Sequence, residues 1–148
     1  MQEHDQALVQ LSSLNKAARS FEEIGFTPDA YRRILLALDF IELEVSVHNK
    51  SEEEALFPVL ERYVEGPTKV MRDDHKELKK EFIRLRRAVN KIGKRRRDKV
   101  AAAELASISK TIVQRFVNHI HKENHILFPL VQKFLTRDAL REVARRMV

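Results

Sequence analysis

Two stretches of the chain carry the same short pattern. His48-x-x-x-Glu52 is followed by Leu56-Phe57-Pro58, and His119-x-x-x-Glu123 is followed by Leu127-Phe128-Pro129. Residues four apart share a face of a helix, so each pattern sets an imidazole beside a carboxylate. The two patterns lie 71 residues apart, and the same offset carries His4 onto His75. It also carries Leu11 onto Phe82, Leu14 onto Leu85, Ala18 onto Val89 and Ile41 onto Ile112. Four of the six histidines obey this register; His121 and His125 do not. The chemistry such a set can do is metal binding, because imidazole nitrogens and carboxylate oxygens are the donors that transition metals take.

Each of the four histidines is in phase with an apolar helical stripe. His4 is one turn from Ala7 and Leu8, His48 from Val45, His75 from Leu78 and His119 from Phe116. Glu52 and Glu123 follow one turn beyond a stripe histidine and therefore face inward too. An inward carboxylate is costly unless it is paired or holds a cation, and here the cost arises twice. A single buried histidine is more often a hydrogen-bonded core residue, and a single HxxxE often lies on a solvated face. Two such motifs and two lone histidines in one register point instead to a common site. Six ligands, His4, His48, Glu52, His75, His119 and Glu123, suit two metals sharing two bridging carboxylates better than one. The donor set fits iron, manganese or zinc rather than calcium.

The elements that must position these groups are helices. Apolar residues recur at spacings of three and four over residues 3–23, 29–64, 69–92 and 98–135, and again over a tail at 138–147. No stretch alternates with a period of two. Gly25-Phe26-Thr27-Pro28 separates the first helix from the second, with Thr27 as N-cap and Pro28 at the first helical position. Gly66-Pro67-Thr68 separates the second from the third, with Thr68 as a candidate cap, and a third break falls between Gly93 and Lys99. Pro58 and Pro129 sit inside helical stretches and should kink or end them just upstream. Short connections make neighbours antiparallel, so the expected fold is all-α: an up-down-up-down four-helix bundle with an internal pseudo-two-fold repeat and a short C-terminal helix, residues 1–148 forming one domain. The phenylalanine of each Leu-Phe-Pro is expected to plug an end of the bundle. The tail helix covers an apolar edge or makes a subunit contact.

In its two extended signatures, His48-Asn-Lys-Ser-Glu52-Glu-Glu-Ala-Leu-Phe-Pro58 and His119-Ile-His-Lys-Glu123-Asn-His-Ile-Leu-Phe-Pro129, the chain resembles the hemerythrin-like, HHE cation-binding family. The resemblance runs from His4 to about Leu135. It implies an antiparallel four-helix bundle with a non-haem centre of two iron ions, bridged by oxide or hydroxide. It implies that His4 and His48 serve one iron, His75 and His119 the other, and that Glu52 and Glu123 bridge them. The family's oxygen carriers have a further ligand histidine one turn after the first on the third helix, where this chain has Lys79. The fourth-helix carboxylate is Glu rather than Asp. The chain is thus similar to the bacterial members with four histidines. One iron gains an open position, or a replacement ligand such as Tyr31, Tyr63 or another glutamate. Reversible oxygen storage is then less natural than binding of O2 or NO in sensing, storage or stress response. A di-iron oxidase, a peroxide-detoxifying protein or an iron-handling protein is the alternative. Apolar neighbours such as Leu11, Ile41, Phe82 and Phe116 would exclude bulk water and admit a small gas.

Composition narrows the classes further. The 148 residues include no cysteine, which excludes disulfides, thiolate metal sites and a cysteine nucleophile. No apolar run approaches a membrane span. Residues Met1 to Asp5 are polar and precede no signal core, so a cytoplasmic location is expected. The 28 Lys and Arg and 22 Asp and Glu leave a net charge of +6. Eleven of the cations and only two acids lie between Lys79 and Lys99, centred on Lys94-Arg95-Arg96-Arg97. That run is a solvated loop or a surface for nucleic acid, an anionic membrane or an acidic partner. His121 and His125 are expected on the surface.

Overall fold

The hydrophobic periodicity closes into helices wherever it is sustained, and the breaks fall at residues that local chemistry marks. The computed structural model describes residues 2–147, and the side chains of residues 5–147. Helix α1 is Gln2–Glu23 and α2 is Pro28–Ser51, followed without a break by a π-helical turn π1, Glu52–Leu56, and α3, Phe57–Leu60. Helix α4 is Pro67–Lys94, α5 is Lys99–Lys122, π2 is Glu123–Leu127, α6 is Phe128–Phe134 and α7 is Arg137–Arg146. The protein is an all-α bundle, with no strand among the described residues.

The turns are held by caps. Gly25, with φ of +92°, ends α1 in the left-handed conformation that costs glycine least. Thr27 Oγ1 accepts from the Ala30 N–H at 3.1 Å, as its type and position predict. Asp98 Oδ1 does the same for Ala101 at 3.0 Å, and Thr136 Oγ1 for Ala139 at 3.1 Å. Thr68 is not a cap. Helix α4 already starts at Pro67, and the buried Thr68 hydroxyl donates to Glu61 Oε2 at 3.0 Å. The third break falls between Gly93 and Lys99, as the sequence expects, and Gly93 itself stays inside α4. A Cβ there would stand 2.6 Å from the Tyr31 hydroxyl, so glycine makes room for a tyrosine inside the helix and the break comes at residues 95–98.

The prolines neither end nor sharply break their helices; they widen them. Pro58 and Pro129 have no N–H to give the carbonyl four residues back, and their rings press against it. The preceding N–H groups reach one residue further: Phe57 N–H donates to Glu52 O and Phe128 N–H to Glu123 O. The resulting π turns stand 71 residues apart, each opening on a glutamate of the repeated motif.

The chain divides into two units, one of Met1–Leu43 with Leu78–Val117 and one of Glu44–Glu77 with Asn118–Val148. The first is held by fully buried Leu14, Ile34, Leu38, Leu85, Ile92 and Leu105, together with Phe21 and Leu11. The second has its own apolar cluster of Ala55, Leu56, Phe57, Val59, Leu60, Met71, Leu127, Leu135, Ala139 and Val143. Within it α7 lies against π1, so the tail helix covers an apolar surface of its own chain. A fork of two hydrogen bonds from Arg62 to Glu142, at 2.9 and 3.0 Å, locks α7 to the turn after α3. Leu8, on the apolar stripe of the first helix in the sequence, is exposed. Truncating Val143 removes an α7 contact beneath π1. Val143→Ala should cost on the order of 2 kcal/mol, read from urea denaturation followed by circular dichroism.

Candidate metal centre

Five of the six sequence-predicted side chains belong to the second unit. The sixth, His4, sits on α1 and its side chain lies outside the described residues. Helices α2, α4 and α5 bring His48, His75 and His119 inward because each lies on its helix's apolar stripe. Glu52 and Glu123 open the π turns one helical turn beyond His48 and His119. Glu52, His75, His119 and Glu123 are buried at 5% exposure or less. One ligand atom from each lies within 4.8 Å of all the others. His48 reaches the same group from a more open position, its side chain 25% exposed.

The two carboxylates each lie between two imidazoles. Glu52 Oε1 is 3.4 Å from Nε2 of His48 and 3.4 Å from Nε2 of His75. Glu123 Oε1 is 3.0 Å from Nε2 of His119 and 3.6 Å from Nε2 of His48. The rings of His75 and His119 meet edge to face, with centroids 4.9 Å apart. Nε2 nitrogens and carboxylate oxygens thus converge on one volume. Neither oxygen of Glu52 nor Nε2 of His75 has a hydrogen bond to protein, although all three atoms are buried. Buried polar atoms are rarely left so, and a cation accepted by these lone pairs satisfies them. The donor chemistry fits a metal.

The outer nitrogens are oriented by two acids that the sequence reading missed. The Nδ1–H of His75 donates to Glu53 Oε1 at 2.9 Å. The Nδ1–H of His119 donates to Asp74 Oδ2 at 3.2 Å, and Lys122 Nζ donates to the same oxygen at 3.0 Å. With Nδ1 engaged by a carboxylate oxygen, which accepts, Nε2 is the ring atom left to face the cluster as a ligand. This pairing is the usual device for fixing a ligand histidine. One signal was present: Glu3-His4 and Asp74-His75 repeat an acid–histidine dipeptide at the 71-residue offset. Glu53 had none, because it looks like one more acid in the run Glu52-Glu53-Glu54.

Phe57, expected from the sequence as an end plug, lies against the site. Its buried ring stacks on His75 with centroids 5.8 Å apart, and the Arg72 guanidinium covers it 5.2 Å from its centroid. Phe128 is half-buried against the apolar cluster. The proposed substitutes for a fifth histidine are elsewhere. Lys79 is exposed, Tyr63 is exposed beyond α3, and Tyr31 packs on Phe26 in the first unit. His121 and His125 are exposed with rings 4.2 Å apart.

Fold and site together define a metal-binding helical bundle. The model of the hemerythrin HHE cation-binding domain matches residues 1–131 and again residues 66–148. The chain belongs to that family, and the second match begins near the repeat boundary. Comparison with curated proteins found no match. Comparison with solved structures likewise found none. No helix among the described residues is long and apolar enough to cross a membrane.

The electrostatics state what the metal-free site lacks. Burial, with the neighbouring charge of Glu123, lifts the Glu52 carboxyl above its ordinary value of 4.5 despite the pull of His75 and His48. Burial lowers His119, but the hydrogen bond and charge of Glu123 and the contact with Asp74 outweigh it, and its pKa is raised above 6.5. A raised carboxyl in the folded state means that the folded protein holds a proton the unfolded chain has lost. Stability from Glu52 is therefore present at low pH and lost as pH rises above 4.5. The raised histidine acts in the same direction as pH rises past 6.5. In metal-free protein the Tm advantage of Glu52→Gln over wild type should grow with rising pH, and saturating metal should abolish it, as read by differential scanning calorimetry. Glu53→Ala and Asp74→Ala should each lower metal affinity about 10- to 100-fold without loss of helicity, measured by chelator competition.

Proposed function

We propose that this chain is a non-haem di-iron protein whose exogenous ligand is a diatomic gas, O2 or NO, in sensing, storage or stress response. The observation that carries the reading is that each buried carboxylate contacts two histidines, Glu52 with His48 and His75, and Glu123 with His48 and His119. A carboxylate spanning imidazoles that belong to different ions is the arrangement two metals need. In this reading His4, placed by the repeat, pairs with His48 on one ion, and His75 pairs with His119 on the other. Ferrous iron supplies electron density to a diatomic ligand, which zinc does not.

The protein's share of the work follows from its own residues. Glu53 and Asp74 hold the Nδ1 protons of His75 and His119 and so keep both Nε2 atoms presented inward. Phe57, stacked on His75, and the apolar cluster around Leu56, Leu60 and Leu127 keep bulk water from the buried carboxylates. The position of the fifth histidine of the oxygen carriers holds an exposed lysine, so one ion retains a site for an added ligand. Glu123 and Asp74 favour the protonated form of His119 in the metal-free state, and Nε2 binds a metal only without its proton, so metal uptake competes with protons and strengthens with pH.

Anaerobic loading with Fe(II) should give two irons per chain. Exposure to O2 should then produce near-ultraviolet ligand-to-iron charge-transfer bands. Glu123→Ala should reduce uptake to one iron or fewer and abolish the bands. Uptake of a single ion, or iron without these bands, overturns the di-iron reading; repeated turnover of peroxide moves it to the peroxide-consuming alternative.

A further inference from the structure

The metal centre leaves unexplained the most asymmetric feature of the sequence, the run of cations between Lys79 and Lys99. The structure resolves that run into a line. Lys80, Arg84, Arg87, Lys91 and Lys94 follow one another at spacings of four, three, four and three on α4. At 100° per residue they fall within an arc of about 80°, and at 1.5 Å per residue they extend over about 21 Å. All five are exposed. The line continues into the turn of residues 95–98, where the Arg96 guanidinium lies 4.9 Å from the centroid of the Phe26 ring. Arg86 is diverted from it to Asp39 and Glu42.

Two cations of this line, Arg84 and Lys91, meet acids and stay exposed. Arg84 pairs with the buried Glu81 at 3.3 Å, and Lys91 with Glu104 of α5 at 3.4 Å. Between the two helices the line passes a cleft whose walls are Arg84, Arg87, Lys91 and Glu104, with Ala88 and Ile108 as an apolar floor. Two guanidiniums and an ammonium around one cleft are a seat for a phosphate, which guanidinium binds in two-point fashion.

We infer that this ridge binds the phosphate backbone of duplex DNA without regard to sequence. Duplex DNA carries one negative charge per about 1.7 Å of its axis with both strands counted, so a ridge of about 21 Å laid against it meets phosphates of both strands with its five cations, held in one line by the uninterrupted α4. A bilayer fits less well. The opposite, apolar side of α4 (Phe82, Leu85, Val89 and Ile92) is already buried, so the helix has no free apolar face to sink between lipids. A single strand fits less well too, because among the described residues α4 exposes no aromatic ring on which a base would stack. The inference is independent of the metal reading.

The test is fluorescence anisotropy of the metal-loaded full chain with two labelled 30-base-pair duplexes of unrelated sequence, from 50 to 200 mM salt. Both should bind equally, with a log–log salt slope of about −4 to −5, near −0.9 per phosphate contacted. The variant Arg87→Gln, Lys91→Gln, Lys94→Gln leaves Arg84 on the buried Glu81. It should weaken binding at least tenfold and reduce the slope by about 3. A control of equal charge, Lys133→Gln, Arg141→Gln, Arg145→Gln, should stay within about twofold of wild type, and both variants should keep wild-type Tm and metal content. No binding at 50 mM salt, equal loss in the control, discrimination between the two duplexes, or tighter binding to RNA or to phosphatidylserine vesicles overturns the inference.

Discussion

The structure turns on two carboxylates taken out of water beside one another. Glu52 and Glu123 are each 2% exposed or less, and a bare charge in that position costs several kcal/mol. Protein groups offset only part of it. Beside them His119 is pulled toward protonation, and the Glu52 carboxyl is pushed toward neutrality. Both shifts describe the same missing positive charge. A cation in the cluster removes both at once, which is why residues that depress each other's comfort in the metal-free state are kept together.

Holding that cluster requires stiffness around it, and the chain supplies it from the same motif. The proline two residues beyond each Leu denies its turn an ordinary helical hydrogen bond, and the turn widens at the glutamate. Turns of this kind recur at functional sites in helices. Downstream of the first, Phe57 stacks on a ligand-type histidine and α7 presses on π1 from outside. The repeat is therefore not symmetric in its supports. The residue 71 positions after Glu53 is Asn124, which is exposed, and the positions 71 before α7 fall in the start of the long helix α4 rather than in a separate tail helix. Two metals held by equivalent ligands would have inequivalent surroundings, so their affinities need not match.

Charge is partitioned along the chain. Glu52 and Glu123 lie with His48, His75 and His119 in one unit, and the cationic edge of α4 lies in the other. Long-range fields of this kind govern what approaches a protein rather than how it folds. The cations on α4 leave its apolar side unchanged, so the edge adds a surface property to a helix whose folding role is fixed by Phe82, Leu85, Val89 and Ile92.

What the sequence determined alone is whatever depends on near neighbours or on a repeated register. Helix limits, the Thr27 cap, the Gly25 turn and the shared face of His48 with Glu52 follow from spacing, because a helix places residues three and four apart together whatever surrounds it. The 71-residue offset extended this to His75 and His119 and singled them out from His121 and His125. Tertiary structure decided the rest. Thr68 looks like a cap and is drawn instead to Glu61; Gly93 opens the stretch where α4 ends, and that it is also a recess for Tyr31 shows only in the fold; Glu53 looks like a solvated acid and becomes the partner of His75. In each case the deciding group lies outside the local turn, between seven and sixty-two residues away, and no local rule reaches it. Whether the prolines would end their helices or widen them was likewise undecidable from the chain, since a helix missing one hydrogen bond continues only where packing on both sides, here by Phe57, Leu60 and α7, makes continuing cheaper than stopping.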